Sequence, residues 1–129
     1  MRIRYALLAV TLLTGCGGST APTGVVGTWT LRQVSGQATP VTLLAGPPPF
    51  TVCGGETVIG ADFTFSRTTT YGNGQQCGTS SYVEFGTVAL DGQTLTLKHD
   101  GTSYTYTMKL RESGIDYTDI EGRPYRYTR

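Results

Sequence analysis

Charge and histidine are scarce in this 129-residue chain: charged residues make up 15%, and there is a single histidine. The 10 basic residues nearly balance the 9 carboxylates, which gives a formal net charge of +1. A nucleic-acid partner requires a basic patch that neutralises phosphates, so this balance argues against one. One histidine and three cysteines are a poor source of metal ligands, and we expect neither a metal site nor a cofactor.

The motifs of common catalytic centres are also absent. No serine stands in a Gly-x-Ser-x-Gly turn, and no glycine-rich loop has the spacing that cradles phosphates. The lone His99 lacks an evident nucleophile and orienting partner. The carboxylates are dispersed, so the sequence identifies no glycosidase pair. We therefore expect a protein that is not an enzyme and has no catalytic residues.

The N-terminal hydrophobic run, Tyr5 to Leu13, has only 9 residues, whereas a membrane-spanning helix needs about 20. Arg2 and Arg4 precede this run, as in a signal peptide. The Leu-Thr-Gly-Cys sequence that ends at Cys16 then resembles the lipobox of bacterial lipoproteins.

This resemblance implies that residues 1–15 are removed and that the thiol of Cys16 receives a lipid, typically with palmitate chains. Two or more acyl chains give stable membrane anchoring, because each buried CH₂ contributes roughly 0.8 kcal/mol. An ordinary secretory signal with an incidental cysteine is the alternative.

A flexible tether and a cell-envelope location follow from this interpretation. Residues 16–24 are small, Gly-rich and Ser/Thr-rich, which is typical of a linker. Gly17 is not the aspartate that retains some lipoproteins at the inner membrane, so the resemblance favours the outer membrane, facing the periplasm or the surface. The domain that remains is residues 25–129. Together, the tether and this domain (residues 16–129) contain 8 basic and 9 acidic residues.

Two cysteines remain once Cys16 carries lipid. Outside the cytoplasm, Cys53 and Cys77 are expected to form a disulfide. The closed loop of about 25 residues would stabilise the fold by roughly 3 kcal/mol in the chain-entropy model. Two free buried thiols are the alternative.

The mature chain shows period-two alternation and no convincing helical period, which predicts short strands. Glycine turns separate them, as at Asp91-Gly92 and Asp100-Gly101. The predicted strands are residues 28–34, 40–44, 56–59, 62–71, 80–90 with a bend at Gly86, 94–99, 102–110, 115–120 and 123–128.

Consecutive hairpins of this kind favour a small antiparallel up-and-down β-barrel of roughly eight strands, and a β-sandwich is the alternative. A barrel removes the exposed strand edges that promote aggregation. The domain organisation is therefore a signal peptide (1–15), a tether (16–24) and one all-β domain (25–129).

Gly27-Thr28-Trp29, at the start of the first predicted strand, resembles the Gly-x-Trp motif of lipocalins and of small lipocalin-like or META-type envelope lipoproteins. In lipocalins the tryptophan plugs the closed end of the barrel, and an arginine near the last strand covers it by a cation–π contact. The resemblance assigns Trp29 as the plug. Arg126 and Arg123 are preferred as its cover, because Arg129 is the terminal residue. A plain core role for Trp29 is the alternative.

Alternation also indicates which aromatic residues face the interior. They either line a pocket for a small apolar or sugar-like ligand or form a packed core, as in many small barrels. The possible ligand-lining residues are Phe63, Phe65, Tyr104, Tyr106, Met108, Tyr125 and Tyr127.

Three polar residues lie at the same alternate positions as these apolar neighbours, and so on the same face of their strands: Arg67, Glu84 and His99. If all three point inward, they must pair with one another, because an unpaired buried charge is costly. We favour instead a position at strand ends, where the interior meets solvent.

Two functions remain after these exclusions. One is a membrane-anchored, lipocalin-like envelope module that binds a small apolar ligand or serves a structural role. The other is a protein–protein module, such as an inhibitor of a lytic enzyme or protease. Its contact surface would be the rigid loop of Pro47, Pro48 and Pro49, which loses little entropy on binding.

Overall fold

The computed structural model describes residues 24–44, 46–74 and 76–129, and all its regular elements are strands. The predicted signal peptide, Cys16 and most of the tether lie outside these residues. No described element is a helix of the length and hydropathy needed to cross a membrane. The strands are β1 (Gly27–Val34), β2 (Gln37–Ala38), β3 (Val41–Leu44), β4 (Phe50–Ile59), β5 (Thr64–Asn73), β6 (Gln76–Asp91), β7 (Thr94–His99), β8 (Thr105–Arg111), β9 (Gly114–Thr118) and β10 (Pro124–Thr128).

Eight of these strands form a closed antiparallel barrel. From β4 to β10 each strand pairs with the next one in the sequence. Strand β1 closes the barrel, because it pairs with β10 on one side and with β4 on the other. Short β2 and β3 pair with β1 and β4, respectively, outside the ring. The predicted up-and-down barrel is confirmed, and the β-sandwich alternative is wrong.

Alternation along the strands builds the core. In β7, for example, Leu95 and Leu97 have no solvent exposure, whereas Lys98 between Leu97 and His99 is exposed. The same parity on the neighbouring strands fills the barrel with apolar side chains. The buried apolar residues are Val25, Trp29, Leu31, Val34, Val41, Val52, Ile59, Phe65, Val88, Leu95, Leu97, Tyr106, Met108, Ile115 and Tyr127.

Gly86 gives space to a core aromatic ring. It pairs with Phe65 across β5 and β6. A Cβ atom at Gly86 would lie 2.8 Å from the Phe65 ring and 1.9 Å from the carbonyl oxygen of Lys98. Strand β6 runs continuously through Gly86. The glycine is needed there because a side chain would not fit, and not because the strand ends or turns.

Several strand boundaries differ from the prediction. Strand β4 begins at Phe50, not at residue 56. Gly54 and Gly55 interrupt the apolar pattern, whereas the pairing with β5 continues through them after a register shift at Cys53. Phe63 precedes β5, in a turn where its φ is +62°, and is half-buried. Tyr104 precedes β8 and is 49% exposed.

The predicted disulfide between Cys53 and Cys77 is present, with the two Cα atoms 5.6 Å apart. Cys53 belongs to β4 and Cys77 to β6, so the disulfide links the two strands that flank β5. Gly72 of β5 pairs with Cys77, and a Cβ atom there would meet the carbonyl oxygen of Gln76 at 2.0 Å. The disulfide therefore holds the outer part of the β5–β6 hairpin to β4.

Candidate functional site

One end of the barrel is plugged by Trp29. The side chain is 4% exposed, and its indole Nε1 donates a hydrogen bond to the carbonyl oxygen of Val25 at 2.9 Å. The chain segment that leads into β1 thus folds under the barrel and satisfies the only polar atom of the indole. This position at the barrel end is the one that the resemblance to the Gly-x-Trp motif implies for a plug.

Arg129 covers this plug. Its Cζ lies 4.4 Å from the centre of the Trp29 ring, and its Nη2 donates hydrogen bonds to the carbonyl oxygens of Gly24 (2.8 Å) and Val26 (3.1 Å). A cation–π contact of this kind contributes about 0.5–2 kcal/mol. The cation closes the barrel end that lies beside both the first described residue and the last.

The preference for Arg126 or Arg123 as the cover was wrong. Arg126 lies between two inward-facing tyrosines in β10, so its own side chain faces outward, with its Nε 3.6 Å from Asp116. Arg123 has inward parity, but it precedes the start of β10, at the opposite end of the barrel. Arg129 combines inward parity with a position just beyond the end of β10.

The opposite end of the barrel contains a cavity of about 250 Å³. Strand β10 runs from this end to the plug: Tyr125 pairs with Val34 of β1, whereas Thr128 pairs with Thr30, next to Trp29. The residues that line the cavity come from β4, β5, β9, β10 and the β9–β10 turn. They are Phe50, Arg67, Thr69, Tyr71, Tyr117, Asp119, Arg123, Tyr125 and Tyr127.

Aromatic rings form most of the cavity wall. Phe50 and Tyr71 stack with their ring centres 5.1 Å apart, and Tyr117 lies 5.7 Å from Tyr125. Burial raises the pKa values of Tyr71, Tyr117 and Tyr125 above the ordinary value. Their hydroxyls are protonated at neutral pH, as those of ordinary tyrosines are, and each can both donate and accept a hydrogen bond.

Arg67 lies at the inner end of the cavity and is 8% exposed. It pairs with the carboxylate of Glu84 through both Nε and Nη2. Its Cζ lies 4.4 Å from the ring centre of Tyr106 and 5.0 Å from that of Tyr117. Burial disfavours the charge, but the interactions with Tyr106, Tyr127 and Glu84 outweigh it and raise the pKa of Arg67. The guanidinium is therefore a fixed cation with N–H groups left for a ligand.

His99 completes this buried polar cluster. Its Nε2 lies 2.9 Å from Oε1 of Glu84 but lacks the alignment of a hydrogen bond. Within the described part of the chain, the hydroxyl of Tyr106 is also buried without a partner. The sequence favoured separate strand-end positions for Arg67, Glu84 and His99. The structure instead brings them together: Arg67 pairs with Glu84 across β5 and β6, and His99, at the end of β7, pairs with Gly86, two residues from Glu84 on the same face of β6.

Parity predicted the direction of the proposed ligand-lining side chains but not their depth. Tyr125 and Tyr127 line the cavity. Phe65, Tyr106 and Met108 are packed in the core below it, and neither Phe63 nor Tyr104 reaches it. The residues that sequence reasoning did not propose as lining are Phe50, Arg67, Thr69, Tyr71, Tyr117, Asp119 and Arg123.

The rim carries an opposite-charge pair. Asp119 accepts hydrogen bonds from the backbone N–H groups of Glu121 (3.0 Å) and Arg123 (2.8 Å), which fixes the β9–β10 turn. The Arg123 guanidinium lies 3.4 Å from Asp119 and also pairs with Glu121. Groups of three or more metal-ligating side chains do not occur among residues 24–44, 46–74 and 76–129. The cavity thus offers rings, hydroxyls and guanidinium groups.

Comparison with protein-family models agrees with this architecture. The lipocalin-like domain family matches residues 25–117. Among solved structures, the Cpx pathway activator NlpE from Escherichia coli is similar over 73% of this chain, with 17% sequence identity and a TM-score of 0.48. The match covers 43% of that protein, so this chain spans less than half its length. No curated protein matches the chain.

The family match covers well over half of the sequence, from the segment before β1 to Tyr117 in β9. It agrees with the closed barrel, and it includes the Gly-x-Trp motif at the start of β1. The chain belongs to the lipocalin-like domain family.

Proposed function

We propose that this protein is a non-catalytic binding module of the bacterial cell envelope, anchored by a lipid on Cys16, which takes a small molecule into the open end of its barrel. The observation that carries the proposal is the contrast between the two barrel ends. One end is closed by Trp29 and Arg129. The other presents a cavity with a buried cation at its inner end.

The cavity favours a ligand with two distinct parts. A flat apolar ring fits beside Phe50 and Tyr71 at the entrance, since stacked aromatic rings are stabilised beyond their area burial. A group that accepts hydrogen bonds fits at the inner end, where Arg67 keeps unused N–H groups. The volume of about 250 Å³ is slightly below the roughly 300–1,000 Å³ of common ligand pockets, so it admits a small molecule and not a long acyl chain. The proposed ligand is therefore small and amphipathic, not purely apolar.

The binding test uses 1-anilinonaphthalene-8-sulfonate, which has aromatic rings and an anionic acceptor group. We expect saturable one-to-one binding to the barrel, residues 24–129, with enhanced fluorescence. Phe50→Ala should weaken this binding roughly threefold to tenfold, because one stacking contact contributes about 0.5–1.5 kcal/mol. Phe50 is 38% exposed, so its removal should leave the fold intact.

Phe85→Ala is the matched control, because Phe85 is an exposed phenylalanine of β6 that does not line the cavity. Its affinity should equal that of the unmodified barrel. Absence of saturable binding, or a greater loss with Phe85→Ala than with Phe50→Ala, would contradict a site at the open end.

Anchoring has a separate test. Bacteria that express the full chain and are fed radioactive palmitate should transfer the label to this protein. Cys16→Ser should abolish the label, because the lipobox resemblance places the acylated thiol at this residue. The control variant, Cys53→Ser with Cys77→Ser, removes both other cysteines and should keep the label. Label that persists in Cys16→Ser would show that the anchor assignment is wrong.

A further inference from the structure

Part of β6 has a free edge. This strand pairs with β5 from Gln76 to Thr87, but its pairing with β7 begins only at Gly86. The carbonyl oxygen of Phe85 accepts a hydrogen bond from the backbone N–H of Asp100. On the side away from β5, the segment Gln76–Glu84 therefore has no neighbouring strand among the described residues. We refer to this segment as the β6 edge.

The β6 edge is exposed on both faces as well as along its side. All residues from Gln76 to Val83 are exposed. Among them, Tyr82 is 57% and Val83 46% exposed, and the adjacent Phe85 is 58% exposed. Three large apolar or aromatic side chains thus lie within four residues, next to backbone groups that can extend a sheet. Such an edge is a template for another strand.

The disulfide makes this edge rigid before any partner arrives. Cys77 at the beginning of the β6 edge is bonded to Cys53 in β4. The carbonyl oxygen of Tyr71 in the opposite strand accepts a hydrogen bond from the Thr79 hydroxyl at 3.3 Å. A strand that is already held in its extended shape loses little conformational entropy when it pairs.

Beyond a bulge at Gly78 and Thr79, the edge lacks the usual protection against pairing. Natural edge strands carry lysine, proline or inward-pointing charges, or are covered by other elements. The segment Gln76–Glu84 contains neither lysine nor proline. Its one charged residue, Glu84, is turned into the barrel and paired with Arg67.

We propose that the β6 edge pairs with the β6 edge of a second copy of this chain, which forms a two-fold dimer through a continuous antiparallel sheet. Two-fold pairing brings identical segments together, so a charged edge would repel itself, whereas this one is uncharged outside the Arg67–Glu84 pair. The near balance of 8 basic and 9 acidic residues after residue 15 also leaves little repulsion between copies. The pairing buries Tyr82 and Val83 of both copies.

The test is the mass of the barrel, residues 24–129, by sedimentation equilibrium from low micromolar to high micromolar concentration. We expect the average mass to rise towards twice that of one chain. Val83→Lys should keep the protein monomeric over the same range, because it places a charge on each edge where apolar side chains meet.

Val58→Lys is the matched control. Val58 is 40% exposed, a fraction similar to the 46% of Val83. At this position, however, β4 is paired on both sides, with β1 and with β5. This variant should dimerise as the unmodified barrel does. Hydrogen exchange at high concentration should slow at the β6 edge amides alone. A barrel that stays monomeric throughout, or a dimer that Val58→Lys disrupts and Val83→Lys does not, overturns the proposal.

Discussion

Arg129 shows what a single residue position can and cannot reveal in a sequence. Tyr125, Tyr127 and Arg129 share one parity, and the first two face the interior. Parity alone could therefore have excluded Arg126 as the cover of Trp29. Arg129 was nevertheless not preferred, because a terminal residue was assumed to lack fixed contacts. In the structure, hydrogen bonds to two backbone carbonyl groups hold Arg129 in place. No pattern in the sequence indicates these hydrogen bonds.

Tyr127 provides a prediction about alkaline pH. Burial raises its pKa to about 12, and the side chain is 2% exposed. The unfolded chain releases this proton near pH 10, whereas the folded barrel retains it. The contribution of this protonation difference to the free energy of unfolding is therefore complete below pH 10, and it is lost as the pH rises towards 12. The free energy of unfolding should therefore fall by about 1 kcal/mol for this group between pH 10 and pH 11.

Urea unfolding at pH 8, 10 and 11, followed by the fluorescence of the single tryptophan, Trp29, measures this loss. Tyr127→Phe removes the ionisable group and should reduce the fall in stability. Tyr82→Phe, at a residue that is 57% exposed, should leave it unchanged. An identical pH dependence in Tyr127→Phe and the unmodified barrel would disprove the role of Tyr127.

At the scale of elements, alternation predicted most strands because each has one buried face. Strand β7 agrees with its predicted bounds, residues 94–99. The failures have specific causes. Gly54 and Gly55 contribute no side chain to the pattern, so the first part of β4 was missed, and with it Phe50 of the cavity. The two-residue strand β2 is too short to show any alternation.

Gly86 gives a prediction at this scale. Gly86→Ala would place a methyl group against the Phe65 ring and the backbone of β7. Overpacking of a filled core costs about 1–3 kcal/mol, and we expect the midpoint of urea unfolding to fall accordingly. The clash is local, so the β6 edge should still form the same dimer.

The control is Ala89→Ser, at an exposed position of β6 that pairs with Thr96 of β7. It should change the midpoint little. If Gly86→Ala is as stable as the unmodified barrel, then β6 and β7 can separate at this position. The close contact of Gly86 with the Phe65 ring and the Lys98 backbone would then not be required for stability.

At the scale of the whole molecule, the sequence predicted the barrel but not its cavity. Hairpin order and the Gly-x-Trp motif were sufficient for the fold, since each depends on local residues. The cavity depends on how far each inward side chain lies from the barrel end, and this distance follows from the stagger between strands. The Arg67–Glu84–His99 cluster was considered from the sequence but not preferred, because alternation gives the direction of each side chain and not the register that places Arg67 opposite Glu84 and His99 opposite Gly86.

If Cys16 carries a lipid as proposed, the position of Gly24 under the plugged end bears on which way the barrel would face. Eight residue steps separate Cys16 from Gly24, and an extended chain of that length spans at most about 28 Å. With the lipid on Cys16 as proposed, the plugged end stays near the bilayer and the cavity opens away from it. A ligand would then enter the cavity from the aqueous compartment. The barrel would bind dissolved molecules and would not remove lipids from the membrane.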